Sequence, residues 1–185
     1  MLVLASTSLR RQQILTSAGI SFTVRAPNIP EQLNPGESPD QYVRRLAEQK
    51  AFAVPINAGE VVLAGDTVVV VDGEILEKPR DPSDALRMLR LLSGRDHDVI
   101  TGICLRSASQ NIIDSATTRV HFVELSESEL EAYVASGEPM GKAGAYAIQG
   151  LASRFIDRVE GGYFNVVGLP ISLVYRHLKS LGYSE

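Results

Sequence analysis

The run Val61-Val62-Leu63-Ala64-Gly65-Asp66-Thr67-Val68-Val69-Val70-Val71 constrains this chain more than any other stretch of it. Side chains branched at Cβ suit a pleated sheet and crowd a helix, so the run predicts a long central strand. One carboxylate, Asp66, interrupts it. An ionised Asp in such a strand is costly unless it is paired or coordinated. Asp72-Gly73 then predicts a tight hairpin turn, and folding back about it places Lys78 opposite Thr67, one position from Asp66. In ideal register Lys78 shares Thr67's face, so a bulge is needed to aim both charges at one site. Two readings stay open. One is a structural Asp–Lys pair; the other is a carboxylate that holds a divalent cation or activates water, beside a lysine that neutralises phosphate.

Helix signals surround this strand. Ser38, Pro39 and Gln41 read as a capping box with proline at the first helical position, and that helix must stop before Pro55. Asp81 caps a helix from Pro82 to near Gly94, and Ser126 with Glu129 opens another that Gly137 closes. Pro170 opens a last helix ending near Gly182. Leu2–Leu4, Ser21–Arg25, Val99–Arg106 and Ile112–Val123 read as strands. Strands and helices alternate without a strict βαβ rhythm. The expectation is an α/β fold, a mixed central β-sheet flanked by helices, in a single domain over residues 1–185.

Composition removes several function classes. A net charge of −4 argues against a nucleic-acid partner, which needs a basic face. No apolar run approaches the roughly 18 residues that span a bilayer, so no membrane partner is expected. The start MLVLASTSLRR has its apolar residues before its arginines, the reverse of a secretory signal, and reads as a mature N-terminus. The single cysteine, Cys104, lies in an apolar run and reads as a buried, inert thiol. Together these features point to the cytoplasm. His97, His121 and His177 lack ligand spacing, and neither a Gly-x-Ser-x-Gly elbow nor a cysteine nucleophile constellation is present.

Three further segments offer chemistry. Ser6, Thr7 or Ser8 can cap a helix that carries Arg10 and Arg11 in its first turn, where the helix dipole disfavours cations. An anion reverses that balance by drawing backbone N–H groups, hydroxyls and guanidinium forks together. A solvated arginine pair is the alternative. The segment Gly137–Gly150 fails as a P-loop in its spacing and lacks Ser or Thr after Lys142. It reads either as an ordinary loop or as a close backbone approach in which Gln149 meets a base edge. Glu31, in Pro27-Asn28-Ile29-Pro30-Glu31, reads locally as a solvated loop acid.

Taken in order, these motifs resemble the Maf family of septum-formation-associated nucleotide pyrophosphatases. The resemblance rests on Leu4-Ala5-Ser6-Thr7-Ser8-Leu9-Arg10-Arg11, Ala64-Gly65-Asp66-Thr67-Val68-Val69 and Glu77-Lys78-Pro79. Leu92-Ser93-Gly94, His97, Thr101-Gly102, Lys142–Gly150 and Gly161–Pro170 extend it over nearly the whole chain. It implies a two-lobed fold of the Maf and ITPase-like type with a cleft, often dimeric, and dependent on Mg²⁺ or Mn²⁺. The activity it implies is hydrolysis of a nucleoside triphosphate to monophosphate and pyrophosphate. By the same resemblance Asp66 is the catalytic acid, Lys78 the essential lysine, Glu31 a functional glutamate sharing the metal with Asp66, and Arg11 a phosphate ligand, while Ser8 and Lys50 line the cleft. The trio Arg10, Thr67 and Gln149 is similar to that of the dTTP/UTP-cleaving type, whereas the 7-methyl-GTP-cleaving type carries tryptophan, glutamine and glutamate. Leu9, Gly141 and Gly162 depart from the common pattern, and the latter two bear on substrate preference. The substrates implied are dTTP, UTP or modified pyrimidine nucleotides, a house-cleaning role. The alternatives are a 7-methyl-GTP pyrophosphatase and a non-catalytic nucleotide-binding regulator of septum formation.

Overall fold

The long apolar strand organises a seven-stranded mixed sheet in the computed structural model, which describes residues 1–183. The strands are β1 (Leu2–Leu4), β2 (Phe22–Val24), β3 (Val61–Val71), β4 (Glu74–Leu76), β5 (Asp96–Arg106), β6 (Asn111–Phe122) and β7 (Ile156–Glu160). Their order is β2-β1-β3-β5-β6-β7, with β4 pairing β3 beside that path. β1 runs parallel to both β2 and β3, whereas β4 and β7 pair antiparallel with β3 and β6. The helices are α1 (Leu9–Ser17), α2 (Pro39–Phe52), α3 (Pro82–Leu92), α4 (Glu127–Ala135), α5 (Tyr163–Val167) and α6 (Ile171–Ser180).

Local chemistry sets most of these bounds. Ser38 Oγ accepts from the Gln41 N–H and Gln41 Oε1 accepts from the Ser38 N–H, with Pro39 preset for the first turn. Asp81 accepts from the Asp84 N–H at the start of α3. Asp72 and Gly73 both have positive φ, +50° and +81°, as a type I′ hairpin demands. The resulting register pairs Val69 with Leu76 and Val71 with Glu74, the alignment expected from the sequence. That ladder ends at Leu76, two residues short of Lys78.

β5 begins at Asp96 rather than Val99, and β7 and α5 are elements the sequence did not announce. The first three residues of β5 and the run Ile156-Asp157-Arg158-Val159-Glu160 are too polar to advertise a strand. Their exposed positions are matched across the sheet instead: Asp98 to Arg119, Asp96 to His121 and Arg158.

The chain divides into two compact units. The first holds Met1–Thr67, Thr101–Ala116 and Gly168 onward; the second holds Val68–Ile100 and Thr117–Val167. In the first, Val3, Ala5, Ala47, Ala51, Val54, Val62, Ala64 and Cys104 pack as a core between sheet and α2. The Cys104 thiol is buried, as anticipated, and its pKa is pushed up to about 12 by desolvation. α2 lies directly on β5 at Gly102, where a Cβ would come within 2.4 Å of the Val43 carbonyl. In the second unit an aromatic cluster of His97, Phe122, Tyr146, Phe155 and Tyr133 fills the core with edge-to-face contacts.

Candidate active site

β3 places Asp66 where two ladders fail to meet. β1 pairs with β3 only over Val61–Leu63 and β4 only over Val69–Val71, so residues 64–68 belong to neither ladder. Asp66 lies in that stretch and is 8% exposed. Lys50, in the last turn of α2 and 7% exposed, reaches it: Nζ donates to Asp66 Oδ1 at 2.5 Å. The same ammonium lies 2.6 Å from Glu31 Oε1. Three residues from a loop, a helix and a strand therefore share one contact, and Glu31, exposed on its loop as its local context suggests, is paired with Lys50 there. The close seating of α2 on β5 at Gly102 helps bring Lys50 to this depth.

Arg11 forms the second part of the site. Nε donates to the Gly168 carbonyl at 2.8 Å, Nη1 to Ser6 Oγ at 3.3 Å and Nη2 to Thr67 Oγ1 at 3.1 Å. A guanidinium has about five N–H donors, so these three bonds leave about two for a ligand. Desolvation lowers the Arg11 pKa, opposed by the negative fields of Asp66 and Glu31 and reinforced by neighbouring Arg10. Arg10 is half-buried, its pKa is lowered by desolvation, and it makes no hydrogen bond among the described residues. Ser8 proves to be the N-cap of α1, its Oγ accepting from the Arg11 N–H at 3.4 Å. The Thr67 hydroxyl also shares a bond with Thr101 Oγ1 at 2.9 Å. Gly65 keeps this corner open, since a Cβ there would lie 3.2 Å from the Gly102 carbonyl and 3.6 Å from Arg11 Nε.

Lys78 and Gln149 belong to the second unit. Lys78 is exposed just past β4, and the preceding Glu77 carbonyl accepts from the Gly144 N–H at 3.1 Å. Gln149 is exposed on a turn, and its amide makes no hydrogen bond among the described residues. The first unit thus brings Glu31, Lys50 and Asp66 together and ties Arg11 to Thr67. Reasoning from sequence missed Ser6, Thr101 and the Gly168 carbonyl as supports of Arg11. The last acts across 157 positions of chain and has no local signal.

The fit to a divalent cation can be tested on these atoms. Two carboxylate oxygens already converge on one positive charge, and hard oxygen donors are what Mg²⁺ and Mn²⁺ prefer, with phosphate and water completing the shell. The donor set fits such an ion at Asp66 and Glu31. Among the described residues, no group of three or more His, Cys, Asp or Glu side chains is placed to hold a metal unaided.

The sequence matches the Maf-like protein family over residues 1–181. The chain belongs to the Maf family. A dTTP/UTP pyrophosphatase of Koribacter versatilis (strain Ellin345) is 48% identical over 182 residues, covering 98% of this Maf chain and 94% of the relative. A dTTP/UTP pyrophosphatase of Geobacillus sp. (strain WCH70) is 46% identical over 183 residues, covering 98% of each. The Ham1 protein of Staphylococcus aureus superposes with a TM-score of 0.55 at 14% identity, covering 97% of the Maf chain and 98% of its own, so the two share a fold. No helix among the described residues is long and apolar enough to cross a membrane.

Proposed function

We propose that this chain hydrolyses dTTP, UTP or a modified pyrimidine counterpart to the nucleoside monophosphate and pyrophosphate, in the cytoplasm, where such triphosphates are made. The observation that carries the reading is the convergence of Asp66 and Glu31 on Lys50 in the unit that also presents Arg11. Relatives at 46–48% identity bearing the name dTTP/UTP pyrophosphatase support the substrate class.

In this reading water attacks the α-phosphorus. Asp66 orients the water and receives its proton as the new P–O bond forms. The α–β phosphoanhydride bond breaks, and pyrophosphate departs with its electron pair. Lys50 fixes the Asp66 carboxylate through Oδ1, so the base is held before substrate arrives. Arg11 presents its remaining N–H groups to the phosphates from a frame set by Ser6, Thr67 and Gly168, and Lys78 neutralises charge on the leaving group. Asp66 and Glu31 would hold a divalent cation, Mg²⁺ or Mn²⁺, which when bound supplies charge neutralisation on phosphate oxygens and acidifies water. Arg10 and Gln149 select the base, because an ill-fitting base leaves such donors unpaired at about 1–3 kcal/mol per group. Thr67 contributes through Arg11 and Thr101, to which its hydroxyl is already committed.

The test is a comparison of pyrophosphate release from dTTP, UTP and 7-methyl-GTP with Mn²⁺ or Mg²⁺ added. The proposal expects the two pyrimidine nucleotides to lead 7-methyl-GTP by at least about tenfold in kcat/KM, as one well-placed polar contact allows. A 7-methyl-GTP preference would overturn the substrate assignment, and no pyrophosphate from any of the three would remove the enzymatic reading.

A further inference from the structure

Beneath the turn that carries Gln149 lies a support made of one tyrosine and one carboxylate. The Gly150 N–H donates to the Ala147 carbonyl at 3.0 Å, closing a turn with Ile148 and Gln149 at its centre. At the near end of that turn, the Ala147 N–H donates to the Tyr133 hydroxyl at 3.3 Å. That hydroxyl donates in turn to Glu138 Oε1 at 2.8 Å. Beyond the far end, the Leu151 N–H donates to Glu138 Oε2 at 3.0 Å and the Ala152 N–H to Oε1 at 3.4 Å. Both ends of the turn therefore hang on the Tyr133–Glu138 pair.

The fit is tight. Tyr133 is fully buried, and a Cβ on Gly150 would come within 2.3 Å of Glu138 Oε2. A glutamate tip is ordinarily free to swing aside, but here each swing breaks its bonds to the Leu151 and Ala152 N–H groups. Lys142 Nζ donates to the Glu138 carbonyl at 2.5 Å and so fixes the glutamate's own backbone. Desolvation alone would raise the Glu138 pKa, yet the Leu151 N–H, the Tyr133 hydroxyl and the Ala152 N–H hold it below the ordinary carboxylate range. Against this fixed frame the Gln149 amide stands exposed with no hydrogen bond of its own among the described residues.

We infer that Glu138, linked to Tyr133, is a positioning residue for base selection: it holds the Ala147–Gly150 turn so that the Gln149 amide is aimed before the nucleotide binds. The inference rests on the reading that Gln149 meets the base. Preorganisation of this kind lowers the ordering cost of binding and sharpens discrimination between correct and incorrect ligands. Glu138 touches no substrate and acts only through the turn.

The experiment measures kcat and KM for dTTP and for dGTP, a purine competitor, with melting temperatures, on wild type, Glu138→Ala, Glu138→Gln, Tyr133→Phe, Gln149→Ala and the Glu138→Ala/Gln149→Ala double variant. Glu138→Ala is expected to lower the dTTP-to-dGTP ratio of kcat/KM by about tenfold, mostly through KM for dTTP. Glu138→Gln should fall between, because one carbonyl oxygen still serves one backbone N–H. In the Gln149→Ala background, removing Glu138 should change the ratio by less than about twofold, since the two residues act in series. If Glu138→Ala does not fold, Glu138→Gln and Tyr133→Phe carry the same comparison. Equal losses for both nucleotides, with the ratio intact, would overturn the inference, as would an undiminished effect of Glu138→Ala without Gln149. Should Gln149→Ala itself leave the ratio unmoved, the base-reading assignment fails and the inference with it. Should Gln149→Ala move the ratio while Glu138→Ala, Glu138→Gln and Tyr133→Phe do not, the inference alone fails.

Discussion

Replacing Lys50 with Met keeps the length and apolar stem of the side chain and removes only its charge. Lys50 and Asp66 side chains are 9% and 11% exposed, so the loss leaves a desolvated carboxylate without its cation. Breaking a buried pair from one side costs about 3–5 kcal/mol. The lower end applies here, because the Glu31 side chain is 37% exposed and can be rehydrated. For a chain of this size, about 3 kcal/mol corresponds to a fall in melting temperature of about 6–12 °C. Adding Asp66→Asn to Lys50→Met should recover most of that loss, since removing both partners of a buried pair is often close to neutral. Mn²⁺ should also bind Lys50→Met more tightly than wild type, stabilising the variant by about 1.4 kcal/mol at ten times the variant's dissociation constant and wild type by less at the same concentration. Thermal unfolding of wild type, Lys50→Met and the double variant, with and without Mn²⁺, reads all three effects. A Lys50→Met protein that melts within a degree or two of wild type, or a double variant no more stable than the single, would refute the reasoning that Lys50 neutralises the carboxylate pair.

Other outcomes follow from single features. Gly102→Ala forces a methyl group against the Val43 backbone at 2.4 Å, and overpacking of this kind should cost about 3 kcal/mol and be seen as a drop in melting temperature. The His97 pKa is lowered to about 4, chiefly by desolvation, and its Nε2 meets the Tyr146 hydroxyl at 2.8 Å. A depressed folded pKa means that the associated stability is present above the unfolded value near ~6.5 and is lost as pH falls toward about 4, up to about 3 kcal/mol. His97→Gln should therefore flatten the melting-temperature profile across that window, and a slope equal to wild type would count against it. Hydrolysis in heavy-oxygen water should place the label in the nucleoside monophosphate, whereas label in pyrophosphate would put the attack on the β-phosphorus.

How far the sequence carried depended on the range of each interaction. The starts of α2 and α3 were legible because Ser38, Pro39, Asp81 and Pro82 act within one turn. The hairpin was legible because Asp72-Gly73 takes the two positive-φ positions such a turn needs. β7 was not, since its charges are matched by partners elsewhere in the sheet, such as Asp96 on β5 for Arg158, rather than by apolar burial. Within the site, Asp66 announced itself as a charge in an apolar strand. Lys50 did not: a lysine in the last turn of a helix is electrostatically ordinary, and its meaning comes from Glu31 and Asp66 arriving from elsewhere. The support of Arg11 by Gly168 and of the Gln149 turn by Glu138 rests on backbone groups, which sequence does not mark.

The most direct measurement is dTTP hydrolysis by the Asp66→Asn protein, with dTMP and pyrophosphate quantified beside its melting curve. The amide of that variant keeps an oxygen for Lys50 but cannot take a proton from water, so turnover should fall by about a thousandfold or more while the fold melts within a few degrees of wild type. Near-normal release of pyrophosphate from that protein would contradict the assignment of Asp66 as the base.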